Sequence, residues 1–160
     1  MAPQVLYRVI YGTSKIRDHP VLVARAALLT IQPAVLQDYC RHRVRYADYP
    51  GIIPQEGESV RGTYVTGLTD TDMLRLDYFE GAEYRRDKVQ AVLVAEGNTH
   101  AGADAKTVNT ETYVYTAGND RLEMGEWDFD SFVKNRMPGN WANDSSEEYE
   151  GWLHRAMRTG

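Results

Sequence analysis

Cysteine is almost missing from this sequence, since Cys40 is the only one among 160 residues. A single cysteine can neither form a disulfide within the chain nor supply a multi-cysteine metal site. As a nucleophile Cys40 would need a neighbouring base, and we interpret it instead as a buried residue of a strand. The four histidines have no metal-ligand spacing with Cys40 or with a carboxylate pair, so we expect no metal site, and no other cofactor is predicted.

The sequence also has no excess of basic residues and no long hydrophobic run. Its formal net charge is −5, which argues against a general nucleic-acid binder, because neutralising phosphates requires a basic excess. No apolar stretch approaches the roughly 20 residues of a membrane span. The first residues also lack the basic and then apolar pattern of an export signal. We therefore expect a cytoplasmic protein that binds neither nucleic acid nor membranes.

What remains is the composition of an ordinary globular protein, with 42% hydrophobic and 26% charged residues. A chain of this length can bury roughly two-thirds of its unfolded surface in one core. We find no internal repeat and no low-complexity segment. The sequence therefore predicts a single domain over residues 1–160.

Hydrophobic periodicity and turn residues define the predicted elements. Helical spacing of apolar residues predicts helices, and alternation predicts strands. The predicted helices are His19–Leu29, Asp128–Asn135 and Ser145–Met157, and the predicted strands are Ala34–Tyr46, Ile52–Pro54, Val60–Val65, Val89–Val94 and Thr112–Thr116, with turns at Tyr49–Gly51 and Glu56–Glu58. Several short strands with few βα alternations favour an α+β fold built on a small mixed or antiparallel barrel.

The stretch GLTDTDMLRLDYFEGAEYRR has the clearest local pattern. Thr69 and Asp72 resemble a capping box, and Gly81 is a natural helix stop. If the helix persists to Glu80, this carboxylate lies on the same face as Met73 and Leu76. Desolvation and the negative end of the helix dipole would then raise its pKa into the range useful for proton transfer.

The alternative for Glu80 is structural. The last turn would unwind at Phe79, and the Glu80 carboxylate would pair with Arg85 or Arg86 at the surface. Tyr84 follows Glu80 by four residues and could donate a hydrogen bond near it, although a tyrosine of the core or the rim is more common at such a position.

The first stretch, MAPQVLYRVIYGTSK, fits two structures. As a helix it would have Pro3 in the first turn and Gly12 just beyond the end. As a strand it would alternate Val5, Tyr7, Val9 and Tyr11 with the residues between them. The periodicity alone does not decide between the two.

Several motifs together resemble the gamma-glutamylcyclotransferase-like family, in its plant and fungal avirulence-induced-protein branch. They are VIYGT, QPAVLQDYCRHRV, YPGIIP, VRGTYVTGLTDTDMLRLDYFEGAEYRR and GEWDF, in the order of the family. The resemblance implies a small barrel with peripheral helices, and Glu80 in the position of the acid/base. It also implies that the first stretch is a strand leading into a substrate loop at Tyr11, Gly12, Thr13 and Ser14. Ser14 replaces the usual leucine of that loop.

The expected reaction follows from this resemblance. In a gamma-glutamyl amide the free α-amine attacks the γ-carbonyl, closing the ring of 5-oxoproline and expelling the other amine. The protein must supply a group that accepts one proton and donates another, together with hydrogen-bond donors for the oxyanion or the substrate carboxylate. We expect a small gamma-glutamyl amine or a related amide as the partner. Two alternatives stay open: a catalytically silent scaffold, and a biosynthetic enzyme that uses Glu80 for another proton transfer.

Overall fold

The computed structural model describes residues 3–47, 49–95 and 105–127, together with Lys134. The contacts within it define two compact units. The helical unit contains the described residues up to Leu29 and Leu68–Gly81, and the sheet unit contains Thr30–Gly67 and Ala82–Trp127. The helices predicted at Asp128–Asn135 and Ser145–Met157 lie outside the described residues, and the single domain over residues 1–160 stays a prediction.

The described residues contain helices and strands in a mixed order. In chain order they are α1 Pro3–Tyr11, α2 Pro20–Ala26, β1 Thr30–Val44, β2 Pro50–Thr66, α3 Asp70–Glu80, β3 Tyr84–Leu93, β4 Thr107–Tyr115 and β5 Leu122–Glu126. Short 3-10 turns precede α2, β3 and β5.

The sheet is antiparallel throughout, and β1 is its central strand. The strand order is β2-β1-β3-β4, with β5 also paired to β1. The expected α+β class, with an antiparallel sheet and a few helices, is confirmed. In the described part of the chain no ladder joins β2 to β4, so the sheet is open where a closed barrel was expected.

Strand β2 corrects the prediction of two short strands separated by a turn. The predicted turn at Glu56–Glu58 lies inside one continuous strand, Pro50–Thr66. The pairing with β1 shifts register here, from Gln37↔Ser59 to Tyr39↔Pro54, so β2 has four residues opposite the single β1 residue Asp38. Asp38 has a φ of +61°, and its Oδ1 accepts the Gly57 N–H at 3.0 Å. The residues predicted as a turn therefore belong to a bulge in β2, and pairing with β1 resumes on both sides of it. Pro54 is tolerated because β2 lies at the edge of the sheet.

Helix α1 corrects the prediction that the first stretch is a strand. Its buried apolar residues are Val5, Leu6, Val9 and Ile10. This spacing forms one face of a helix, whereas a strand would put neighbouring residues on opposite faces. The helix ends at Tyr11, and Gly12 follows with a φ of +80°. The helical alternative, with glycine just past the end, is therefore the correct one.

Helix α2 is shorter and less buried than its apolar pattern suggested. It begins at Pro20, which occupies the first helical turn as predicted, and ends at Ala26 rather than Leu29. None of its residues is buried, and Val21 is 73% exposed. Burial therefore does little to hold this helix in place.

Candidate active site

Helix α3 carries Glu80, and its two ends are fixed by the residues that the sequence indicated. Thr69 Oγ1 accepts the Asp72 N–H at 3.2 Å, and the Thr69 N–H donates to Asp72 Oδ2 at 3.0 Å, which completes the capping box. At the other end Gly81, with a φ of +70°, donates its N–H to the Asp77 carbonyl. The predicted start and stop of this helix are confirmed, so Glu80 is its last residue.

The Glu80 side chain is only partly exposed, and its carboxyl group is withdrawn from water. Burial raises the pKa of this carboxyl from 4.5 to about 7. Within the described residues, no neighbouring side chain forms a hydrogen bond or an ion pair that contributes to this pKa. A carboxyl with this pKa is present in both protonation states at neutral pH, which is the range best suited to proton transfer.

The structure argues against the alternative in which Glu80 pairs with Arg85 or Arg86 at the surface. The helix does not unwind at Phe79. Arg85 pairs with Asp87 at 2.7 Å and Arg86 with Glu111 at 3.4 Å, so both arginines have acidic partners in the sheet unit.

The segment from Tyr11 to Ser14 begins at the last residue of helix α1, where the family resemblance implied that a strand precedes it. The Gly12 N–H donates to the Arg8 carbonyl at 2.9 Å and so caps α1. The Lys15 N–H donates to Thr13 Oγ1 at 3.1 Å. A side chain at Gly12 would meet no atom within 4 Å, so the glycine is there for its backbone conformation rather than for space. The substrate-binding role of these four residues stays a prediction.

The aromatic ring of Tyr11 makes contacts with two other side chains. The ring stacks on that of Tyr7, with centroids 5.9 Å apart and planes 16° apart. The Arg25 guanidinium lies 5.0 Å from the centre of the Tyr11 ring. Burial and the nearby Asp72 carboxylate raise the pKa of the Tyr11 hydroxyl.

Asp72 does more than cap α3, which the sequence did not indicate. Its side chain is 3% exposed, and Oδ1 receives a hydrogen bond from Arg25 Nη2 at 3.3 Å. Oδ2 receives the Thr69 hydroxyl at 2.7 Å. No local pattern could have revealed the contact with Arg25, because 47 residues separate the two partners along the chain.

Tyr84, the other predicted substrate-binding residue, belongs to the sheet unit. Its hydroxyl donates to the Pro50 carbonyl at 2.9 Å, and its ring meets that of Tyr115 edge-on at 5.4 Å. These contacts give Tyr84 a structural part in the sheet. Its role in binding substrate stays a prediction.

Other features of the described residues do not point to a different site. An open groove of about 570 Å³ crosses β3 and β4, but none of the predicted site residues lines it. No group of His, Cys, Asp or Glu in the described part of the chain could hold a metal ion. None of the helices described has the length and apolar character to cross a membrane.

The chain matches the model of one protein family over residues 9–129, more than half of its length. The family is described as gamma-glutamyl cyclotransferase, AIG2-like. The chain belongs to this family. The AIG2-like assignment confirms the resemblance read from the sequence motifs.

Relatives in Arabidopsis thaliana support this membership. The chain is 31% identical to AIG2-like protein D over 130 residues, which cover 81% of this chain and 80% of that protein. It is 30% identical to AIG2-like protein B over 136 residues, covering 85% of this chain and 74% of the relative. A solution structure of another Arabidopsis thaliana protein matches 88% of this chain and 74% of its own, with a TM-score of 0.51 and 24% identity. This last likeness shows the fold alone.

Proposed function

We propose that this AIG2-like protein is a gamma-glutamylcyclotransferase in which Glu80 is the general acid/base. The observation that carries the proposal is the Glu80 carboxyl at the end of α3, which is withdrawn from water and whose pKa is raised by burial to about 7. Membership of the gamma-glutamyl cyclotransferase family supports the reaction class.

The chemistry suits a lone carboxyl group with a near-neutral pKa. Ionised Glu80 would accept a proton from the α-amine of the substrate as that amine attacks the γ-carbonyl. The protonated Glu80 would then donate this proton to the departing amine, so that one group performs both transfers. Proton transfer of this kind typically contributes about two to four powers of ten to the rate.

The test is release of 5-oxoproline from a panel of gamma-glutamyl amines, measured on the wild-type chain and on Glu80→Gln. We expect the variant to lose about two to four powers of ten in kcat/KM. Glu83→Gln is the matched control, because Glu83 is a carboxylate three residues further along the chain whose partners are Arg121 at 3.2 Å and Tyr49 at 3.1 Å. Equal activity in the wild type and in Glu80→Gln would show that Glu80 is not the general acid/base.

The Tyr11–Ser14 segment is the second part of the proposal, as a source of backbone donors for the oxyanion or the substrate carboxylate. The Gly12 N–H donates to the Arg8 carbonyl. The test therefore addresses the amide of Ser14, the residue that replaces the usual leucine of the loop. Ser14→Pro deletes one amide, and Ser14→Ala keeps it. If this amide is an oxyanion donor, the proline variant should lose about two to three powers of ten in kcat relative to the alanine variant.

A silent scaffold is the second candidate, and one observation favours it. The segment before Gly12 is a helix and Ser14 replaces the usual leucine, so the chain departs twice from the expected substrate loop. A folded wild-type protein that releases no 5-oxoproline from any amide of the panel would support this candidate over the cyclotransferase.

A further inference from the structure

Helix α3, which bears the candidate acid/base, has few buried apolar side chains. Only Asp72 and Leu76 among its residues are buried. Leu74 is 67% exposed and Tyr78 is 40% exposed. Because few residues of α3 are fully buried, we expect its polar contacts with α1 and α2 to contribute to where it lies.

Two arginines make these contacts within the helical unit. Arg25 of α2 binds the buried Asp72 carboxylate and covers the Tyr11 ring, so it connects α2, the first turn of α3 and the end of α1. Arg75 of α3 donates through Nη1 to the Ile10 carbonyl in the last turn of α1. A cation at this end of a helix is favoured by the helix dipole and satisfies a carbonyl that has no partner within the helix.

We propose that Arg25 and Arg75 are positioning residues for Glu80, which fix α3 against α1 and α2 and so keep the Glu80 carboxyl in place and withdrawn from water. This proposal deepens the proposed function and rests on it for its catalytic consequence. Neither arginine is assigned a contact with the substrate.

The geometry of a helix explains why a contact near its start affects its last residue. Eight residues separate Asp72 from Glu80, about 12 Å along the axis at 1.5 Å per residue. A tilt of about 5° around the Asp72 end would move the Glu80 end by about 1 Å. A displacement of about this size can cost on the order of a hundredfold in rate.

The test compares Arg25→Ala and Arg75→Ala with Arg85→Ala. Arg85 is a matched control, because it also pairs with an aspartate, Asp87, but lies on β3 in the sheet unit with 69% of its side chain exposed. The first measurement is a ¹³C NMR titration of the Glu80 carboxyl, assigned with the Glu80→Gln variant. The second is kcat and KM for release of 5-oxoproline.

We expect the Glu80 titration midpoint to fall from about 7 towards 4.5 in Arg25→Ala and Arg75→Ala, because water reaches the carboxyl. We also expect kcat to fall by about ten- to a hundredfold, with a smaller change in KM. Arg85→Ala should change neither. Arg75→Lys should recover most of the loss, since an ammonium can also donate to the Ile10 carbonyl.

The titration separates this proposal from the proposed function. If the wild type has no activity, the cyclotransferase reaction fails, and the midpoint of Glu80 in the two arginine variants still decides whether they position it. An unchanged midpoint in both variants overturns the proposal, whatever the activity. Should Arg25→Ala unfold, Arg25→Gln serves in its place, because it removes the charge that binds Asp72 and the guanidinium over Tyr11 but keeps a hydrogen-bond donor for the buried carboxylate.

Discussion

At the scale of single residues, the buried carboxyl of Glu80 makes stability depend on pH. Its pKa is about 7 in the fold against an ordinary 4.5, so the folded chain binds this proton more tightly than the unfolded chain. This contribution to the free energy of unfolding amounts to roughly 3 kcal/mol. It is fully present below about pH 4.5 and is lost as the pH rises through 7.

Glu80→Gln should remove this dependence, because glutamine does not titrate. Relative to wild type, we expect the variant to gain up to roughly 3 kcal/mol in free energy of unfolding between pH 4.5 and pH 8. Urea unfolding at the two pH values measures this gain. Glu83→Gln retains Glu80 and should keep the wild-type slope, and a constant difference between wild type and Glu80→Gln would contradict the assigned pKa.

Gly51 is a second residue whose identity matters, in this case through space. A Cβ at this position would lie 2.8 Å from both Cβ and Cγ of Tyr115. We expect Gly51→Ala to destabilise the chain by about 1–3 kcal/mol, because the overlap must be relieved in a packed region. Gly62→Ala, in the same strand with no atom within 4 Å, is the control and should be neutral or stabilising in the same thermal unfolding experiment.

The sequence correctly indicated Glu80 on a helix and Gly81 just after it, because capping signals are local. It missed Arg25 as the partner of Asp72, since that contact depends on tertiary packing over 47 residues. It also missed Glu83, whose carboxylate accepts hydrogen bonds from Tyr49 and Arg121, two residues of distant segments. Side-chain contacts between remote elements have no signature in a single sequence.

At the scale of elements, the capping box of α3 gives a separable contribution to stability. Thr69→Ala removes the hydroxyl that accepts the Asp72 N–H and should cost about 1 kcal/mol. Thr71→Ala, an exposed change in the first turn of the same helix, should be neutral or slightly stabilising because alanine favours helix. Chemical denaturation of the two variants gives the comparison, and equal stabilities would show that the cap contributes nothing.

The first helix shows why element type is harder to predict than element position. The stretch from Val5 to Tyr11 has side chains that suit a strand, and the family resemblance favoured that reading, whereas the buried face follows helical spacing. Likewise, the predicted turn at Glu56–Glu58 became a bulge within β2, because pairing with β1 resumes on both sides of it. In both places tertiary context overrode a local preference.

At the scale of the whole molecule, the two units differ in how well their backbone amides are protected from exchange with solvent. Strand β1 is paired along both edges, whereas α2 has no buried residue. Local opening is easiest where few buried contacts must be broken. We expect the amides of α2 to exchange with deuterium faster than those of central β1 by a factor of about ten or more. Equal protection of the two segments would contradict this ranking.

The central position of β1 also has a consequence during synthesis on the ribosome. Its partner β2 follows directly, so a β1–β2 hairpin can form once residue 66 has emerged. The other edge of β1 pairs with β3 through Ala34–Leu36 and with β5 through His42 and Val44. Until residues 93 and 126 are made, that edge is an open template for strands of other nascent chains. We therefore expect this chain to be most prone to aggregation in the interval between synthesis of β2 and synthesis of β5.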